Sequence, residues 1–368
     1  MKVAIIGGGI VGATAAYYLS KERDISLKVF DDGRGQATKA AAGIISPWFS
    51  KRRNKAWYRM ARLGADFYQE LIADLKQDGF RTDFYNQSGV LVIKKREDLL
   101  DDLYELAQQR RKESPIIGEL AVLNKAEMSL RFPGLTGFNR VLYASGGARV
   151  EGSSLTKTLL EASGAELVSG KVSFSQGAAG YEVAGELFDA LILASGAWLP
   201  QLLEPFGYEV AVRPQKGQLT DFKMAHLNTE QLPVVMPDGE IDVIPYTQGK
   251  MAVGASHEND QGYDLSEDMT VLNDLKEQAL AFYPSLQEAS LVAHRVGTRA
   301  YTPDFSPFYG EVPGLPQVYT ASGLGSSGLT TGPLIARELV ALLTKQATRL
   351  DPKDYSIDNY IKKETDKA

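Results

Sequence analysis

The chain reads as an α/β protein of two domains, and three observations predict this. A short apolar run at residues 2–6 stops at a glycine cluster, and a helical pattern through Val11, Ala15, Tyr18 and Leu19 follows before a second apolar run at 25–30. This is a βαβ unit at the start of the chain. Strand and helix patterns then alternate through much of the remainder, and 368 residues exceed one small core.

The further elements follow in order. A small-residue stretch runs from Ala37 to Pro47. Asn54 is placed to cap a long helix with apolar positions Trp57, Met60, Ala61, Gly64, Phe67, Tyr68, Leu71 and Leu75. Between 81 and 145, strands VLVIKK and VLYA flank a charged helix near 97–112. A helix from Leu155 to Ala162 ends at Gly164, as a glycine just past a helix would suggest. Strands are expected at 165–172, 180–188 and 189–194, a strand-rich segment at 205–257, and a helix at 266–282. A loop after residue 290, a strand at 318–322, a glycine-rich turn and a helix at 330–344 complete the pattern. The polar residues beyond are expected to form a loosely held tail.

Composition narrows the function. The net charge of −6 gives no general electrostatic attraction to nucleic acid or to an anionic membrane. Without cysteine there are no disulfides, thiolate metal sites, cysteine nucleophiles or cysteinyl links to a cofactor. The three histidines, His226, His257 and His294, lack partners at metal-ligand spacing. No apolar run is long enough to span a membrane and no signal peptide is visible, so a cytoplasmic location is expected. The runs Lys51-Arg52-Arg53 and Arg110-Arg111-Lys112 read as solvated faces rather than anion sites.

The strongest motif is Gly7-x-Gly9-x-x-Gly12, between the first strand and first helix. The first glycine permits the tight turn, the second lets a pyrophosphate approach the backbone, and the third lets helix and strand pack closely. The helix N-terminus offers free N–H groups and a positive dipole end to phosphate. Asp31 stands at the end of the second strand, where a carboxylate accepts ribose hydroxyls and disfavours a 2′-phosphate. Dinucleotide binding follows, with FAD and NAD both open.

The rest of the chain separates them. The βαβ unit leads into Thr38-Lys39-Ala40-Ala41-Ala42-Gly43-Ile44-Ile45 rather than further βα units. Later come Ile192-Leu193-Ala194-Ser195-Gly196-Ala197-Trp198, Arg213-Pro214-Gln215-Lys216-Gly217-Gln218, Gly297-Thr298-Arg299 and Gly323-Leu324-Gly325-Ser326-Ser327-Gly328. Together and in order, these resemble the FAD-dependent D-amino acid oxidase superfamily, in its glycine oxidase and sarcosine oxidase branch. The resemblance implies a Rossmann-like FAD domain of glutathione-reductase type and a mixed-sheet substrate domain, both discontinuous. The expected division is 1–80, 142–213 and 295–350 for FAD, 81–141 and 214–294 for substrate, and 351–368 for the tail.

Carried over by position, the resemblance puts Ile10 and Val11 at the pyrophosphate, Asp31 and Asp32 near the ribose, and Val172 at adenine. Thr38, Lys39, Gly43, Ile44 and Ile45 line the flavin side. Ser195 and Gly196 also belong to the cofactor site, and the turn Leu324, Gly325, Ser326, Ser327, Gly328, Leu329 and Thr330 meets the isoalloxazine. A helix N-terminus there would stabilise the negative charge that reduction places on the ring. Arg299 corresponds to the family's carboxylate clamp, and a guanidinium fork suits a carboxylate; the alternative is a structural arginine paired with Asp304 or Glu311. Lys216 replaces a common arginine, and Ser326 replaces a second arginine found in many glycine oxidase-like chains. Asp242 and Tyr246, on a segment resembling the strand that faces the flavin, are further candidates. Asp242 either attracts a substrate ammonium or is a surface acid, and Tyr246 is catalytic or a core or rim aromatic. Trp48 and Met251 read as core or pocket-lining residues.

The activity implied is oxidation of the C–N bond of a small amino acid or amine, with non-covalent FAD taking hydride and oxygen as acceptor. A D-amino acid or 2-hydroxy acid dehydrogenase passing electrons to a quinone is the alternative within the superfamily, and an FAD-binding redox sensor is the alternative outside enzymes. The expected partners are a small-molecule substrate and an electron acceptor, with self-association open.

Overall fold

A computed structural model describes residues 1–239 and 241–363. Six strands form one sheet in the order Phe308–Glu311, Val318–Ser322, Ala190–Leu193, Lys2–Ile6, Ser26–Asp31, Glu166–Ser169. Neighbours run parallel except at the Phe308–Glu311 edge. Successive side chains leave a strand on opposite faces. Val3 and Ile5 therefore join the core that includes helices Ile10–Leu19, Lys55–Gln77, Gly152–Ser163 and Gly328–Leu343. Ala4 and Ile6 meet Phe174, Tyr181 and Phe188 of an antiparallel meander, Phe174–Gly177, Gly180–Val183 and Glu186–Phe188. Each large apolar side chain buried this way contributes about 1.5–3 kcal/mol.

Local chemistry sets the helices. Asn54 Oδ1 accepts the Trp57 N–H at 2.9 Å, and the apolar positions read from the sequence of helix Lys55–Gln77 are all buried. Gly164 follows helix Gly152–Ser163 in the left-handed conformation that the sequence implied. A Cβ on Gly12 would lie 1.8 Å from the Gly7 carbonyl oxygen, so only glycine lets the first helix rest on the preceding turn.

The second sheet has eight strands, ordered Ser290–Tyr301, Arg213–Lys223, Lys250–Gly254, Asp242–Pro245, Val234–Met236, Val90–Val92, Arg140–Ala144, Leu120–Asn124. It is antiparallel except where Val234–Met236 meets Val90–Val92. Leu91, Val235, Val243 and Val253 pack outward into a core that includes Leu275 of helix Met269–Leu280. Val90, Val92, Ile244 and Ala252 point the other way, into the core shared with the first sheet.

Four expectations need correction. The loop expected after residue 290 is instead the long edge strand Ser290–Tyr301, paired along its length with Arg213–Lys223. Its first residues are exposed and it carries Gly297, so no apolar alternation marks it. The tail is docked as far as Lys363: Ile361–Lys363 pairs with Tyr208–Val210, and Tyr355, Ile357 and Ile361 are buried. These three apolar residues supply the anchorage that the polar composition hid; residues 364–368 lie outside the described chain. Arg110 is no solvated residue, because its guanidinium donates to the Trp48 and Ser50 carbonyls at 2.6 and 2.7 Å and covers the Tyr58 ring. The expected boundaries at 141/142 and 294/295 fall inside the strands Arg140–Ala144 and Ser290–Tyr301, where ladder pairing continues across them.

Pro333 lies inside helix Gly328–Leu343 and has no N–H for the Leu329 carbonyl one turn back. The buried Tyr68 hydroxyl donates to that carbonyl at 2.6 Å instead. Replacing Tyr68 with Phe orphans a buried acceptor, so Tyr68→Phe is expected to cost about 1–3 kcal/mol in denaturant unfolding. An unchanged midpoint would show that the hydroxyl does not substitute for the missing N–H.

Candidate functional site

A cavity of about 960 Å³ opens between the carboxyl ends of the six-stranded sheet and a face of the eight-stranded sheet. Crevices at the carboxyl ends of parallel strands are where α/β sheets bind ligands, because the helices that follow aim their N-termini there. Three such turns meet here: Gly7–Val11 after the first strand, Ser195–Gly196 after Ala190–Leu193, and Leu324–Thr330 after Val318–Ser322. Helices Ile10–Leu19 and Gly328–Leu343 both begin on the cavity, and neither has a side-chain cap at its N-cap residue. Their first-turn N–H groups lack partners within the helix. Thr38 Oγ1 takes one of them, accepting the Ile10 N–H at 3.0 Å.

Asp31 anchors the far end. Its carboxylate accepts the Gly8 and Gly33 N–H groups, each at 2.7 Å, and the Gln36 amide. A carboxylate has about four acceptor positions, so one further donor can still be accepted. Asp32 and Val172 also lie on the cavity wall, with the Asp32 carboxylate accepting the Arg34 N–H at 3.0 Å.

Arg299, from strand Ser290–Tyr301, lies on the opposite wall. Its Nη1 donates to the Ser256 carbonyl at 2.8 Å and to Gln215 Oε1 at 3.2 Å. A Cβ on Gly217 would come within 2.6 Å of the guanidinium, so this glycine lets the arginine lie across the neighbouring strand. The Asp304 carboxylate accepts from Tyr360, Thr302 and Ser306, and Glu311 accepts the Gln317 N–H. Asp242, from strand Asp242–Pro245, lines the same cavity. Burial alone acts on its carboxyl and pushes it up to about 8, although the residue keeps some surface because the group opens on the cavity.

The cavity thus gathers Gly7, Gly9, Ile10, Val11, Asp31, Asp32, Thr38, Gly43, Ile44, Val172, Ser195, Gly196, the turn 324–330, Asp242 and Arg299. Four expected residues do not line it. Gly12 lies beneath, against the turn, and Lys39 points outward to solvent. Ile45 faces the core, one step out of phase with Ile44. Tyr246 is spent on a structural bond, its hydroxyl donating to the Ala42 carbonyl at 2.7 Å, and its residue borders a separate cavity of about 340 Å³. Trp48 and Met251 are wholly buried, Trp48 donating to Ser114 Oγ at 3.1 Å. Lys216 is buried and paired with Asp264 at 2.6 Å, so it does not stand in for a ligand-binding arginine. Ser326 is exposed, and its N–H donates to the Tyr301 hydroxyl at 3.1 Å. Sequence reasoning missed Gln36, Thr298 and His257, which line the cavity. Gln36 follows a glycine and Thr298 adjoins Arg299, signals that single polar residues carry only weakly.

Comparison with known proteins fits this geometry. The family model described as DAO, FAD dependent oxidoreductase, matches residues 2–342. An uncharacterized oxidoreductase of Bacillus subtilis, YurR, is 38% identical, the match covering 95% of this chain and 97% of that one. The glycine oxidase of Pseudomonas putida is 29% identical over 96% of this chain and 98% of its own. Among solved structures, an iminodiacetate oxidase from Chelativorans superposes with a TM-score of 0.91 at 30% identity, covering 96% of this chain and 98% of that one.

The residues present fit FAD. Its pyrophosphate is anionic and its ring accumulates negative charge on reduction, and two uncapped helix N-termini supply donors for both. Gln36 Oε1, Ser195 Oγ and Thr298 Oγ1 are buried on the cavity wall without protein partners, as polar groups awaiting a ligand would be. The raised Asp242 group makes a separate prediction. It binds a proton in the folded chain where the unfolded chain has lost it, so stability falls as pH rises from about 4 to 8. Asp242→Asn should therefore leave stability unchanged near pH 4 and raise it at pH 7 by on the order of 2 kcal/mol, less than the bare shift because cavity water screens the carboxyl. Chemical denaturation of the substrate-free protein at the two pH values tests this; equal effects at both would contradict it.

Proposed function

Because the chain belongs to the DAO family of FAD-dependent oxidoreductases, we propose that it oxidises the C–N bond of a small amine bearing a carboxylate. Glycine, sarcosine, D-amino acids and iminodiacetate are the substrate types in view. The observation that carries this reading is Arg299, a cation on the cavity wall opposite the cofactor-binding turns. An iminodiacetate oxidase at 30% identity and a glycine oxidase at 29% support the same chemistry.

In this reading Gly7, Gly9, Ile10 and Val11 hold the pyrophosphate, Asp31 and Asp32 the ribose, and Val172 the adenine. Thr38, Gly43, Ile44, Ser195, Gly196 and the turn 324–330 border the flavin. The six-stranded sheet and its helices serve FAD, and the eight-stranded sheet serves the substrate. Arg299 grips the substrate carboxylate through charge-assisted hydrogen bonds and so fixes the C–H to be broken. Asp242 faces the substrate nitrogen. Its ionised fraction, the minority form below about pH 8, pairs with the ammonium and accepts its proton, leaving the neutral amine whose lone pair is needed as hydride departs. Bound FAD supplies the two-electron hydride acceptor. Water then hydrolyses the imine to an oxo acid and a smaller amine or ammonia, and oxygen is the proposed final acceptor.

Visible spectroscopy of the yellow protein tests this directly. Anaerobic addition of glycine, sarcosine, iminodiacetate or D-alanine should bleach the flavin, and admission of air should restore it with consumption of oxygen. Bleaching that is reversed by a quinone but not by air would assign a dehydrogenase instead. Arg299→Ala should retain FAD and its spectrum but raise KM roughly 100-fold, the loss of a charge-assisted pair of about 3 kcal/mol. Unchanged KM for the best substrate would remove Arg299 from its assigned role.

A further inference from the structure

Beside the eight-stranded sheet lies a partly buried group of charges outside the substrate contacts. Arg295 and Asp221 are paired at 2.8 Å, with side-chain exposures of 14% and 5%. Lys250 lies 3.4 Å from the other Asp221 oxygen and 2.8 Å from Glu151. Formal charges balance, two against two. Lys250 and Arg295 also approach the Tyr246 ring, at 5.3 and 5.7 Å from its centre. A register shift at Asp221/Phe222 adds an extra residue to the facing edge strand beside this group, and such bulges re-aim side chains.

The group ends on two consecutive peptide carbonyls. Arg295 Nη1 donates to the Ala41 carbonyl at 3.0 Å, and the Tyr246 hydroxyl donates to the Ala42 carbonyl at 2.7 Å. Ala41, Ala42, Gly43 and Ile44 form a continuous strip of the FAD cavity wall. The strip is also held from its far end. The Val150 N–H donates to the Gly43 carbonyl at 2.8 Å, and a Cβ on Gly43 would lie 1.9 Å from the Val150 oxygen. Glu151, the next residue, is the one paired with Lys250.

We propose that Arg295 and Tyr246 are positioning residues for the flavin: from the substrate sheet, they fix the peptides of Ala41 and Ala42 and so shape the Ala41–Ile44 wall against which the ring lies. Asp221, Lys250 and Glu151 serve the same end by holding Arg295 and Tyr246 in place. Burying the Arg295–Asp221 pair is a poor way to gain stability, since well-packed apolar residues do as well or better. What the arrangement supplies is geometry. Each carbonyl is drawn to a defined donor in a low-dielectric setting where an unmade bond is costly. A carbonyl freed from its donor can turn its negative end into the cavity, where it opposes the negative charge of reduced flavin. The network therefore couples the substrate sheet to the cofactor without touching the substrate.

The test uses holoenzyme and needs no substrate, so it stands apart from the assignment of Arg299 and Asp242. FAD release from diluted holoenzyme is followed as the rise in flavin fluorescence, together with the visible spectrum and the flavin midpoint potential. Tyr246→Phe removes one hydrogen bond and is expected to speed FAD release about three- to tenfold, with a more negative potential. Arg295→Met should do more, and Arg295→Lys, which keeps charge but loses the fork, should recover part of the loss. Tyr181→Phe serves as the structural control. Tyr181 is as buried as Tyr246, but its hydroxyl donates to the Pro316 carbonyl at 2.7 Å, and neither residue lines the FAD cavity. It should lower thermal stability without moving spectrum or potential. If Arg295→Met fails to fold, Tyr246→Phe still decides. Wild-type release, spectrum and potential in Tyr246→Phe and Arg295→Lys would overturn the proposal, as would an equal change of potential in Tyr181→Phe.

Discussion

The structure is organised around two helix N-termini with nothing of their own to satisfy them. Helices Ile10–Leu19 and Gly328–Leu343 pack tightly: a Cβ on Gly332 would approach the Ile10 side chain to 2.7 Å. Both first turns therefore open on one cavity. The N-cap positions hold Gly9 and Ser327, and neither side chain caps its helix. Uncapped N–H groups kept from water cost about 1–3 kcal/mol each if left unmade. A ligand with negative charge at two points removes that cost, and FAD would offer its pyrophosphate to one helix and its reducible ring to the other. Binding then contributes to folding stability by mass action, since the unfolded chain offers no such site.

Holding the second helix in place requires unusual chemistry along its length. Pro333 interrupts the hydrogen-bond ladder one turn from the cavity, and Tyr68 repairs the break from a different helix. Gly64 on that helix lets it approach the same turn, because a Cβ there would come within 2.3 Å of the Thr330 carbonyl. Thr320 and Ser322 add bonds from their hydroxyls to the Leu193 and Gly196 carbonyls, tying the closing strand to its neighbour. The turn 324–330 is thus fixed from below, behind and beside. Its backbone donors are oriented before any ligand arrives, which is what electrostatic stabilisation of a developing charge demands.

Much of this frame was legible because local rules and tertiary packing agree there. Gly12, Asn54 and Gly164 each meet a steric or capping need within a few residues in sequence. Where the determining partner is distant, the pattern was silent. Strand Ser290–Tyr301 owes its form to Arg213–Lys223, some seventy-five residues earlier, and its own alternation is weak. The chain end is held by three apolar residues docking on remote elements, a contact that a polar composition conceals. Within the site, glycines and Arg299 could be matched by position. Tyr246 could not be resolved from its residue type, because a buried tyrosine serves a carbonyl as readily as a substrate, and here its partner lies 204 positions away.

The substrate wall departs from simple anion recognition. A cavity built only to seize carboxylates would be lined by cations, whereas this one sets Asp242 on the same sheet as Arg299. Asp242 pairs with Gly254 across the ladder, and Arg299 bonds the carbonyl of Ser256, two residues further along that segment. Both residues thus reach the cavity beside the same segment, Gly254–Ser256. Burial makes ionisation of Asp242 costly and keeps it largely protonated near neutral pH. A zwitterion resolves both costs at once, offering a carboxylate to the guanidinium and a nitrogen to the acid. On the proposed function, carboxylates without an amine would leave Asp242 unmatched, and amines without a carboxylate would forgo the charge-assisted bonds of the guanidinium. On the proposed function, the pair would select for molecules carrying both groups on a short spacer, the class whose C–N bond the proposed reaction oxidises.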